Sequence, residues 1–202
     1  MRTLPSCTVA LLANLALLAL LALAACDAAP PAERAEAPSS AGIEATDMLA
    51  YLEAKIDIAD EKFMQMAEAI PEESYDWRPM EGVRSFREVF IHVAADNWNG
   101  GALMGIATPD DIPVTSDGAS PGVYQEQHLS KTETLVHLRR SFDYFSDALD
   151  ATRDHLETRT MLGTNEVTYG DLWVRLVTHM HEHLGQSIAY SRSNRIVPPW
   201  SR

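Results

Sequence analysis

Apolar residues recur along this chain at spacings of three and four, the pattern of a helix that buries one face. From Thr46 the series Leu49, Leu52, Ile56, Ala59, Phe63, Met66 and Ile70 keeps that rhythm unbroken and predicts a long first helix. Met64 and Met66 read as packing rather than as soft metal ligands, because methionine on a helix mostly fills space in the core. Residues 71–83 (PEESYDWRPMEGV) read as a connection. Ser85 with Glu88 three residues later then makes a capping box that opens a second helix. Val89, His92, Asp96, Asn99 and Leu103 form one stripe of it, beside Phe86, Phe90 and Val93, and Gly100 with Gly101 is expected to weaken or end it.

Residues 107–129, broken by Pro109, Pro113, Pro121 and Gly122, read as a loop long enough to be functional or mobile. Ser130 and Glu133 cap a third helix with the seam Leu135, Leu138, Phe142, Phe145, Leu149 and Leu156, in which Thr152 is the polar member. Residues 160–169 read as a turn, with Thr168 capping a fourth helix that ends near Asn194. Four amphipathic helices and no convincing strand predict an all-α fold, a four-helix bundle occupying residues 44–202. The long second connection permits either an up-down topology or a crossover.

The fourth helix carries the candidate chemistry. Leu172, Leu176, His179, His183, Gln186 and Tyr190 follow one another at 4, 3, 4, 3 and 4, so an apolar seam turns to imidazole. Polar rings on an inward face cost stability unless something satisfies them. His179 and His183, one turn apart on one face, can chelate a single ion, whereas His181 is rotated about 160–200° away. Two histidines are too few for a typical site, and His92 on the second helix is the best third ligand. Asp96, one turn on, is a fourth ligand or an acceptor for a ring N–H, and Gln186 can serve either way. His128 falls in a loop; His137 and His155 lie off the third seam and are expected in solvent.

Composition narrows the partners. The chain has 202 residues and a formal net charge of −13, and no basic patch, phosphate loop or dinucleotide fingerprint is visible. Nucleic acid is therefore excluded as a partner. Residues 1–25 read as a lipoprotein signal peptide: Arg2, an Ala/Leu-rich run from Val9, and Leu23-Ala-Ala-Cys26 at its end. Cys26 would be lipidated and become the mature N-terminus. That predicts export and anchoring to the envelope on the periplasmic face, and Asp27 after it resembles an inner-membrane retention signal. Residues 26–43, the lipidated cysteine and an Ala/Pro/Ser-rich stretch, read as a disordered tether reaching on the order of 20–30 Å. With Cys7 lost in the signal, the domain has no disulfide and no thiolate.

Over residues 44–200 the chain resembles the DinB/YfiT-like metalloprotein superfamily. The resemblance is carried by Tyr75–Pro79 (YDWRP), Val83–Phe86 (VRSF), His92–Asn97 (HVAADN), His179-x-x-x-His183-x-Gly-Gln186 and the closing Asn194–Pro199. It implies a divalent metal held by His92, His179 and His183, a bundle with one crossover, and frequent homodimers. Leu184 stands where the family often has arginine, which removes that basic group but leaves the ligands. Three neutral imidazoles leave the ion its full charge and an open position, an arrangement suited to Zn, Ni, Fe or Mn. Three functions follow. One is a metal-dependent hydrolase, with Asp96 or Glu182 accepting a proton. The second is thiol transfer, which the resemblance implies and export weakens. The third is a non-enzymatic metal- or ligand-binding module. The small-molecule substrate is not named by the sequence.

Overall fold

The fold comes from a computed structural model, which describes residues 45–114 and 120–202. The signal peptide, Cys26 and the tether lie outside the described residues. The elements run α1 (Ala45–Ala69), a 3-10 turn at Glu72–Ser74, α2 (Phe86–Leu103), α3 (Ser120–Gln125), α4 (Lys131–Thr152), β1 (Arg159–Leu162), β2 (Asn165–Thr168), α5 (Tyr169–Ser193) and a 3-10 turn at Pro199–Ser201. The long helices α1, α2, α4 and α5 make the bundle. Among the described residues, no helix is long and apolar enough to cross a membrane.

Every member of the α1 seam from Leu49 to Ile70 is buried, and Met66 lies wholly within the core. Phe63 meets Phe90 of α2 at 6.3 Å and Phe142 of α4 at 6.0 Å between ring centres, so one aromatic cluster ties three helices together. The two expected capping boxes form, at Ser85–Glu88 and Ser130–Glu133, and the expected Thr168 cap proves to be a third box with Asp171; each satisfies amide groups that a helix start leaves free. The helix order around the bundle is α1, α4, α2, α5: α1 packs on α4 and α5, and so does α2. Helices consecutive in the chain thus lie across the diagonal at the first and third connections, while the long second connection joins the neighbours α2 and α4.

Four expectations need correction. Gly100 and Gly101 do not end α2, which runs on to Leu103. They serve close packing instead: a Cβ on Gly100 would meet Leu176 Cδ1 of α5 at 2.6 Å, and one on Gly101 would run into the Tyr144 hydroxyl of α4. The stretch read as a turn at 160–169 is a β-hairpin, with Arg159 opposite Thr168 and Leu162 opposite Asn165. Gly163, at φ +61°, supplies the positive dihedral of its two-residue loop. Four-residue strands are too short for a period-two pattern to stand out.

The third correction concerns the loop at 107–129, which contains the short α3, and with it His137. That ring is half-buried, and its Nδ1 lies 2.8 Å from the Tyr124 hydroxyl of α3. The last is Leu156, which lies beyond the end of α4 rather than on its seam. Arg87, 5 % exposed, binds Asp76 at 2.8 and 3.2 Å and the Leu129 carbonyl, pinning two connections to the start of α2.

Candidate metal centre

Neighbouring helices α2 and α5 build the site. On α2, His92 and Asp96 stand one turn apart; on α5, His179 and His183 do the same. One donor atom from each falls within 4.8 Å of all the others. The Nε2 atoms of His179 and His183 are 3.2 Å apart, and those of His179 and His92 are 3.4 Å apart. Asp96 Oδ2 lies 3.3 Å from His92 Nε2 and 3.1 Å from His179 Nε2. Ligands bound at about 2.0–2.1 Å in a tetrahedral array stand about 3.4 Å from one another, close to these four distances.

The outer nitrogens say which lone pairs face inward. His183 Nδ1 is 2.8 Å from Gln186 Oε1, an acceptor, so Nδ1 carries the proton and Nε2 is bare. Gln186 in turn donates from Nε2 to the Tyr190 hydroxyl at 2.8 Å, which fixes the amide the right way round. His179 Nδ1 is 3.2 Å from Glu182 Oε2, so its proton is directed outward too. The bare faces of two imidazoles and a carboxylate oxygen are thus turned on one another, an arrangement that a cation relieves. The donor set fits a divalent ion that tolerates imidazole.

Electrostatics separates the three rings. Burial holds His92 well below the ordinary imidazole value, at about 4, and lowers His183 as well. His179 is raised, first through its hydrogen bond to Asp96 and with help from Glu182. His92 Nδ1 is buried and has no hydrogen-bond partner among the described residues. The cluster opens at one side: the His179 side chain is 41 % exposed and Asp96 25 %, against 10 % for His92. A cavity of about 10 Å³, lined by Asp96, His179 and His183 with Val93 and Leu176, has room for roughly one water.

The structure brings His92, His179, His183 and Asp96 together and sets Gln186 behind His183. The seam as counted is displaced, though. The deepest line of α5 is Trp173, Val177, Met180, Leu184 and Ser187, and the histidines lie on its flank. Leu184, where a basic residue was considered, is buried at 5 %. His181 is turned away, with Nδ1 2.9 Å from the Val177 carbonyl, in a groove beside Tyr51 and Lys55 of α1. Sequence reasoning treated Glu182 only as a proton acceptor and missed its contact with His179, although its i+3 spacing was the available signal.

The DinB superfamily model matches residues 55–187, which spans both halves of the cluster. A crystal structure of a DinB-like protein from Bacillus cereus ATCC 10987 shares the fold at a TM-score of 0.52 and 18 % identity, covering 70 % of this chain and 89 % of that one. No curated protein matches the chain.

Proposed function

Since this chain belongs to the DinB superfamily, we propose that it is a divalent-metal-dependent hydrolase held at the envelope membrane by a lipid on Cys26. The observation that carries the catalytic part is the convergence of three imidazole Nε2 atoms with one partly exposed carboxylate oxygen. His92, His179 and His183 would hold the ion, which when bound supplies Lewis acidity toward an ester, amide or similar bond. Gln186 holds His183 in the tautomer that presents Nε2, and Glu182 does the same for His179. Asp96, on the open side, is placed to take a proton from an attacking water.

Protein purified without chelator or nickel resin should carry close to one equivalent of a Zn-, Ni-, Fe- or Mn-class metal. A substrate panel then separates hydrolysis from thiol transfer, the alternative raised by the family resemblance. Metal-loaded protein inert toward every ester, amide and thiol acceptor would leave a binding module. The anchor has its own test: a fatty-acid analogue should label the protein in cells, and Cys26→Ser should abolish the label.

A further inference from the structure

The long connection between α2 and α4 carries a buried polar contact that lies outside the metal centre. Tyr124 is fully buried while its neighbour Val123 is 60 % exposed, so among the described residues of α3 it is this ring that docks the helix on the bundle. The Tyr124 hydroxyl lies 2.8 Å from His137 Nδ1 of α4 and has no other polar partner among the described residues. A phenol sealed from water has to place its proton, so Tyr124 donates and Nδ1 accepts, which leaves the imidazole proton on Nε2. Burial pushes Tyr124 up to about 12, and it therefore stays a donor across the range in which histidine titrates. Charged groups surround the ring on both elements. Glu133 and Arg140 flank His137 on its own helix, and Asp111 of the connection, bound to Arg140 at 2.7 and 2.8 Å, acts on it from across the contact.

We propose that this contact is an acid-sensitive latch: α3 stays docked while His137 is neutral and comes away from the bundle when His137 takes up a proton. Protonation turns Nδ1 from an acceptor into a donor. The hydroxyl can rotate to accept from the new N–H, but its own proton is then left without an acceptor in a buried place, and the docked state is destabilised. Undocking gives both groups to water. Burial first, and Arg140 after it, hold His137 below the ordinary imidazole value, against the pull of Asp111 and Glu133. With the docked value lowered, docking is complete above about pH 6.5 and is lost as pH falls below it. The Asp111–Arg140 pair outlasts the latch, because the guanidinium holds that carboxyl below its usual range. Ile112 and Val114, both buried, and Arg87 on the Leu129 carbonyl keep the two ends of the connection in place. What comes free is α3, together with the surface of α2 on which it packs.

Hydrogen exchange of the full-length chain, compared at about pH 7.5 and about pH 5 and corrected for intrinsic chemistry, tests the latch. The amides to follow are Glu126 and Gln127, which bond back to the Gly122 and Tyr124 carbonyls at 3.2 and 3.3 Å. Relative to amides of α1, which report any general weakening in acid, their protection should fall about fivefold, the low end for one orphaned buried donor. His137→Gln should abolish the fall, because a neutral amide oxygen still accepts from the hydroxyl at either pH. Tyr124→Phe should abolish it as well, since no hydroxyl remains to be orphaned. No fall in the wild type, or one that persists in either variant, overturns the proposal. Should a variant leave α3 open already at the higher pH, proton NMR of the wild type decides. The Tyr124 ring signals should then move toward unfolded-chain positions along the same titration as the His137 imidazole. A Tyr124 ring that stays in place while His137 titrates overturns the latch.

Discussion

Helices α1 and α5 are both 25 residues long, and both bury one face in the same bundle. On α1 the seam from Leu49 to Ile70 is apolar throughout, and each member is at most 7 % exposed. On α5 two lines run side by side. One, through Trp173, Val177 and Met180, is core; the other, through His179 and His183, reaches from the rim inward. Helix α1 spends its whole buried face on stability, while α5 divides its face between packing and chemistry. Removing a core side chain from either helix should destabilise the fold, whereas removing a histidine should cost metal binding first.

The hardest way to break this comparison is at Phe63. Phe63→Ala removes a ring that is fully buried at the junction of three helices, and should cost about 3–5 kcal/mol in urea or guanidinium unfolding. A loss below about 1 kcal/mol would mean the aromatic cluster is not the core.

Acid should weaken the histidine side of the molecule. In metal-free protein, His92 titrates near 4 when folded against about 6.5 when unfolded. Between those values the unfolded chain binds the proton and the folded chain does not, so stability rises with pH. The contribution, about 3 kcal/mol, is complete above pH 6.5 and is lost as pH falls toward 4. His183 acts in the same direction and His179 against it. The check is unfolding free energy across that range in wild type and in His92→Gln, whose profile should be flatter.

Metal sharpens the contrast further. At a free concentration one hundred times its dissociation constant, an ion that binds only the folded state adds about 2.7 kcal/mol. His92→Ala, His179→Ala and His183→Ala should each lose that increment along with the bound metal. His181→Ala, facing the α1 groove, should keep both. Retained metal in the His92 variant would reduce the centre to the α5 pair, and loss confined to the His181 variant would reverse the assignment of faces.

The smallest effect lies away from both lines. Ser130→Ala removes the cap that accepts from the Glu133 amide at the start of α4 and should cost about 1 kcal/mol with no change in metal content. Melting curves with parallel metal analysis would show whether capping and chemistry are as separate as the geometry has them.

Much of this was legible in the chain. The α1 seam, the caps at Ser85, Ser130 and Thr168 and the histidine pair at i and i+4 are local patterns, set by 3.6 residues per turn and by amides that need an acceptor at a helix start. His92 could be chosen as a third ligand because it lies on an inward stripe of another helix. Other features depended on which helices touch. Gly100 and Gly101 read locally as helix breakers, but with Leu176 and Tyr144 packed against them they allow close approach instead. Periodicity could say that His179 and His183 share a face, yet only packing put His183 inside and His179 at the rim. The distance of 3.4 Å between His92 and His179 joins residues 87 apart in sequence, and no local rule sets such a contact. It follows from α2 and α5 being neighbours in the bundle, and that is decided by how all four apolar faces are buried together.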